Sequence, residues 1–190
     1  MKKNAWLAAA WIVLAACTGK APTDDASAIA HKKFDELTPE IINGLKDEQL
    51  EQAVVDNIVA TFGKEPRDKH DRIAAMNNGQ RAIYLTWLVE AEVDAGGLKN
   101  YYEKSGETTS AYVKEAFQTI GDSLYASLME KANSIWEAHK QQKIKGVDDP
   151  WSELEDEIEK LPDAESLDKL KVAYIRGHVD EFVSHKEHFR

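Results

Sequence analysis

Only one cysteine occurs in the 190 residues, at position 17, so no disulfide can form within the chain. Five prolines and ten glycines are too few for the many tight turns of an all-β fold. Lys and Arg are in the minority, 24 against 34 Asp and Glu, for a net charge of −10. No Lys/Arg stripe is present to neutralise phosphates, which excludes direct nucleic-acid binding. There is no Gly-x-Ser-x-Gly elbow to present a nucleophile, and no stretch alternates polar and apolar residues convincingly for four or more positions. What is present is the composition of a globular chain, 43% hydrophobic and 31% charged. Its length suits one domain that buries roughly two-thirds of its unfolded surface, so no metal or disulfide staple is required.

The amino terminus reads as an address. Lys2 and Lys3 precede twelve small or apolar residues, Ala5 to Ala16. That run falls short of the ~20 residues needed to span a bilayer permanently and fits the h-region of a secretory signal. It ends in Leu14-Ala15-Ala16-Cys17, which resembles the lipobox of bacterial lipoproteins. The resemblance implies cleavage before Cys17, a diacylglycerol on its sulfur and a fatty acyl chain such as palmitate on its new amine. Two or three chains bury enough methylene to hold a protein on a bilayer. Thr18, rather than Asp, follows the cysteine. By the sorting rule of enteric bacteria this implies the outer membrane, facing the periplasm. Loss of residues 1–16 removes Lys2 and Lys3 but no acid, which moves the net charge from −10 to −12. Residues 17–28 then read as the lipidated Cys and a flexible tether, because Thr18 to Ser27 contains no large apolar residue.

From position 29 to 190 the apolar residues recur at helical spacing, which predicts an all-α fold: a single compact domain of about seven helices. Leu50, Val54, Ile58 and Phe62 make one stripe, ended by Gly63, and a charged connector runs through Pro66 to His70. Tyr84, Trp87, Leu88, Ala91 and Ala95, broadened by Ile83, make the next, which stops at Gly96-Gly97. A short turn with Tyr101 and Tyr102 ends near Gly106, and Thr108, Thr109 or Ser110 is placed to cap a helix with Val113, Ala116, Phe117 and Ile120 inward. After Gly121, Asp122 restarts the chain with Leu124, Leu128, Ala132, Ile135 and Trp136. Asp149-Pro150 opens a helix carrying Leu154, Ile158 and Leu161, and the last helix buries Leu167, Leu170, Tyr174, Ile175 and Phe182.

Two stretches together resemble a known family. One runs from Arg81-Ala82-Ile83-Tyr84 through Glu92-Val93-Asp94-Ala95-Gly96-Gly97-Leu98 to Tyr101-Tyr102. The other is Tyr174-Ile175-Arg176-Gly177-His178 to Phe182. In order and spacing they are similar to the DNA-mimic protein 19 type, also described as domain of unknown function 4375, over about residues 50–182. Asp94-Ala95 replaces an asparagine pair and Leu98 an aromatic residue of that pattern. The resemblance implies a compact, acidic helical domain whose carboxylates imitate phosphate spacing on the basic face of a DNA-binding protein.

Glu153, Glu155, Asp156, Glu157 and Glu159 crowd one short helix. They offer a carboxylate face to a basic partner or a divalent cation, or simply a solvated face favoured by the helix dipole. Their spacing does not match a calcium loop. His178, His185 and His188 fall seven and three apart, a weak metal candidate beside the simpler reading of a polar terminal turn. Gly96-Gly97 reads as a helix end or a backbone cradle for an anion. At least one of Tyr101 and Tyr102 is expected in the core, the other being a candidate for a groove. Trp87, Trp136 and Trp151 are read as packing residues. These features favour a membrane-anchored interaction module that binds the bilayer through acylated Cys17 and a basic protein through its acids, with no cofactor. An envelope metal-binding protein or hydrolase and a DNA-mimic inhibitor stand beside it as alternatives.

Overall fold

The computed structural model describes residues 36–62, 68–141, 150–158, 160 and 164–183. Among these the chain is helical with no strand, as the apolar spacing predicts. Residues 1–28 with Cys17, and also Gly63, Pro66, Asp149, Glu159, Leu161, His185 and His188, lie outside the described residues.

The first helix, α1 (Pro39–Gly44), starts where Thr38 Oγ1 accepts the Ile41 N–H at 3.3 Å. Pro39 takes the first helical position, where no backbone donor is needed. In α2 (Asp47–Phe62) the expected stripe of Leu50, Val54 and Ile58 is buried, and Phe62 meets Tyr84 edge-on at 5.3 Å. At the end of the expected connector a further short helix begins, α3 (Lys69–Ala75). Asp68 opens it by accepting the Asp71 N–H at 2.9 Å. Its one buried residue, Ile73, gives no period for a sequence pattern to detect.

The longest helix is α4 (Asn78–Tyr101), which begins with a reciprocal cap between Asn77 and Gln80. Its inward residues match the expectation at Ile83, Tyr84 and Leu88 and depart from it at Ala91 and Ala95. Ala82 to Thr86, Leu88 and Val89 are buried, Trp87 is half-buried, and Ala91 and Ala95 are exposed. The middle of α4 is covered from several sides, so its burial there is almost continuous rather than striped. The helix breaks at Gly96 and Gly97, where Gly97 adopts φ 75° and ψ −176°, a conformation essentially reserved for glycine. It resumes at once and passes through a π-helical turn, Tyr102–Gly106, into α5 (Glu107–Thr119). Gly106 is already helical, so there is no free helix start for Thr108, Thr109 or Ser110 to cap. Thr108 and Thr109 instead donate to the Ser105 carbonyl, at 3.1 and 2.8 Å.

The end of α5 follows the expected Gly121-Asp122 punctuation. Gly121 lies at φ 92°, its N–H bonds Gln118 O at 3.1 Å, and the Asp122 N–H bonds Phe117 O at 2.9 Å. Asp122 then caps α6 (Ser123–Lys140) by accepting the Tyr125 N–H at 2.9 Å. Ala126, Leu128, Met129 and Ala132 are buried there, whereas Leu124, expected in the stripe, is 56% exposed. Met129 lies about 140° around the helix from Leu124, so the buried sector turns away from it.

Helix α7 (Ser152–Ile158) buries Leu154, and Trp151 is buried just before it. In α8 (Ala164–Gly177) Leu167, Lys171 and Ile175 are buried four apart, while Leu170 and Tyr174 are half-buried. Arg176 ties this helix to the start of the fold. Its Nη1 donates to Ile42 O at 2.6 Å and its Nη2 to Leu45 O and Asp47 Oδ1, both at 2.7 Å.

A single turn, Val179–Glu181, ends the described chain against the start of α4. Glu181 Oε2 accepts the Gly79 N–H at 2.6 Å, its Oε1 accepts the Tyr174 hydroxyl at 3.2 Å, and its carbonyl accepts Asn77 Nδ2 at 2.7 Å. A β-carbon at Gly79 would stand 2.5 Å from that Oε2. A carboxylate on orphan donors at a helix start is stabilised by both hydrogen bonding and the dipole. Glu181→Ala is therefore expected to cost about 1–2 kcal/mol in urea denaturation, with Glu181→Gln retaining part of it. No described helix is long and apolar enough to cross a membrane.

Candidate functional site

The break in α4 is also where α7 is anchored. Past Gly97 the resumed helix presents the Leu98 N–H, and Glu155 Oε1 accepts it at 3.0 Å. Gly97 has no side chain because Glu155 lies where a β-carbon would be. The anion that this backbone cradles is thus a carboxylate of the same chain. Trp151 stacks on Tyr102 at 4.8 Å and 9°, and Lys131 pairs with Glu157 at 2.7 Å. Glu155 and Glu157 are consequently engaged in packing. Glu153 and Asp156 face solvent with no cationic partner among the described residues, and Asp94, exposed one turn before the break, is in the same condition. Glu159 lies outside the described residues.

Beneath this surface the segment that carries the family resemblance is a polar network. Glu92 Oε1 accepts the Ser105 hydroxyl at 2.8 Å, Lys69 Nζ donates to Ser105 Oγ at 2.8 Å, and the Glu92 carbonyl accepts Asn100 Nδ2 at 2.5 Å. A hydroxyl between an ammonium and a carboxylate is an arrangement that could activate a nucleophile. Ser105, however, is 1% exposed, so the trio holds α3 to the π-helical turn and meets no substrate. Val93 packs half-buried against the core. Tyr101 and Tyr102 are both buried, in keeping with the expectation that at least one is core, and neither lines a groove. Their hydroxyls pair with Thr109 Oγ1 and Asn133 Oδ1, each at 2.7 Å, and burial pushes both phenols well above their usual range.

Tyr174, His178 and Phe182 gather at the other end of the domain. The His178 ring stacks on Tyr174 at 4.1 Å, its Nδ1 lies 2.9 Å from Tyr174 O, and buried Phe182 meets Tyr174 edge-on. Burial, and then the Glu181 carboxylate, push the Tyr174 phenol up to about 12. His185 and His188 lie outside the described residues, among which no three His, Cys, Asp or Glu side chains are placed to hold a metal ion.

Sequence reasoning missed a fourth arrangement. Lys171, 1% exposed, reaches Glu51 Oε1 at 2.7 Å, Glu90 Oε2 at 2.5 Å and Asp168 Oδ1 at 3.1 Å. Burial pushes the Glu90 carboxyl up to about 7 despite the lysine beside it, and raises Glu51 for the same reason. Burial works against the Lys171 charge, but Glu90 and Glu51 more than offset it and hold its pKa above the ordinary value. The signal available in sequence was a lysine in the core register, between Leu167 and Ile175.

Comparison with curated proteins and with solved structures found no match. The family model described as DMP19-like protein matches residues 74–178, which span the α4 break, the π-helical turn and all of α8. That match covers more than half of the chain, and the chain therefore belongs to the DMP19-like protein family.

Proposed function

We propose that the domain is a protein-interaction module that offers carboxylates to a basic partner, anchored to the bacterial envelope by a lipid on Cys17. The observation that carries the first part is the character of the surface. Among the described residues only Val59 and Leu124 are large, apolar and exposed, while Asp94, Glu153 and Asp156 stand exposed without cationic partners. A surface with so little exposed apolar area selects partners by charge, which speeds encounter and makes association sensitive to salt. Family membership favours a second reading, an alternative to the envelope anchor, in which the carboxylates stand in for DNA phosphates on a DNA-binding protein. The lipobox Leu14 to Cys17 supports the anchor, with the outer membrane facing the periplasm as the proposed location.

Capture from envelope extract on the immobilised full-length chain tests the interaction. A retained basic protein is expected to fall by roughly tenfold or more when salt is raised several-fold, and to weaken with Glu153→Gln/Asp156→Asn. Competition by duplex DNA for the same protein would establish the mimic form. Retention that ignores salt, or no partner at all, would reject the charge-based reading. For the anchor, Cys17→Ser is expected to release the chain from the membrane fraction. Mass spectrometry that finds an intact Met1 start and a bare Cys17 thiol would overturn it.

A further inference from the structure

Three carboxylates meet one ammonium between α2, α4 and α8. Glu51 comes from α2, Glu90 from α4, and Asp168 and Lys171 from α8. The Glu51 and Glu90 side chains are only 20% and 22% exposed, and that of Lys171 is 2% exposed. With every group ionised the cluster has two negative charges that Lys171 does not balance. The remaining groups within electrostatic reach add no positive charge. Among the described residues the charges that Glu51 and Glu90 feel are Lys171 and Asp168, with Glu90 also feeling Glu51, and Tyr125 on α6, near Asp122 and Asp94, in turn feels Glu90. Like charges gathered in a poorly solvated site cannot all ionise at their ordinary pH, and one of them keeps a proton.

We propose that Glu51, Glu90 and Lys171 form a proton-regulated clamp: the crowded cluster keeps one proton, on Glu90, and loss of that proton loosens the hold of α2 and α4 on α8. When Glu90 is protonated, its carboxyl still accepts from Lys171, which keeps the charge of Glu51 balanced. When it ionises, the released proton goes to solvent and a second carboxylate is left in the cluster. The sign follows from linkage. A folded-state carboxyl that titrates above its unfolded range gives stability that is complete at low pH and is lost as pH rises through the folded-state value. Burial raises Glu51 in the same direction, so the two acids reinforce each other.

Urea unfolding of the full-length chain reads this directly. Between about pH 5.5 and about pH 8.5 the wild-type folding equilibrium constant is expected to fall at least roughly tenfold, and that of Glu90→Gln by no more than about twofold. Equal pH slopes for the two proteins would overturn the proposal. If Glu90→Gln does not fold, carbon-13 titration of glutamate carboxyls in the wild-type chain supplies the readout. One carboxyl titrating near neutrality supports the clamp, and all of them titrating in the ordinary acidic range overturns it.

Discussion

Lys171→Ala is expected to destabilise the domain by roughly 3–5 kcal/mol, the cost of removing one partner from a buried charge cluster and leaving the others unbalanced. Lys171 is 1% exposed and contacts carboxylates on three helices, so its loss strands Glu51 and Glu90 at the centre of the α2, α4 and α8 packing. The substitution also opens a cavity the length of the lysine stem. Most of the loss should be electrostatic. Lys171→Met combined with Glu51→Gln and Glu90→Gln is accordingly expected to regain the greater part of the stability, since the buried positions then carry no charge and the carboxylate that remains, Asp168, is exposed to solvent. Urea denaturation of the single and triple variants decides the matter. A triple variant no more stable than Lys171→Ala would mean that packing, not charge, dominates there.

Gly97→Ala is expected to cost about 3 kcal/mol, from two sources of similar size. Any β-carbon is strained at φ 75° and ψ −176°, at about 1–3 kcal/mol. The new methyl also meets Glu155, which must withdraw and leave the Leu98 N–H without its acceptor, at about 1–3 kcal/mol. Gly96→Ala is the control, because Gly96 lies at φ 176°, which other residues adopt, and its β-carbon would only press Asn100 at 3.0 Å. Glu155→Ala should add little in the Gly97→Ala background, as the contact it removes is already gone. Chemical denaturation of the four proteins measures both effects. Full additivity would show that Glu155 and Gly97 act independently.

The helices were legible wherever one face is apolar and the other polar. Leu50, Val54 and Ile58 announced α2, and Gly121 with Asp122 announced the α5 to α6 turn. Gly96-Gly97 was legible as a break and as a candidate anion cradle, but not as the seat of Glu155, because the Leu98 N–H that Glu155 accepts lies 57 positions earlier in the chain. Glu181 is likewise 102 positions from the Gly79 N–H it accepts. Composition cannot separate such acids from solvated ones, since the distinction lies in which orphan donor the fold brings near. Helix α3 was hidden for the opposite reason: a single buried residue has no periodicity. Lys171 was passed over because a charged residue is assumed to face water, although its place in the Leu167–Ile175 register marks it as a core position.

The Arg176 fork bears on how the domain carries mechanical load. A force applied to the chain ahead of Pro39 reaches α1 first, and the backbone of α1 and its following turn is fastened through Ile42 O and Leu45 O to a single guanidinium near the end of α8. Tension from the amino-terminal side therefore enters the fold near its carboxyl-terminal end, and both carbonyl bonds resist it together. Peeling α1 away would have to strip that fork as well as lift buried Leu37 and Ile42 from the core, so Arg176 shares the load with them.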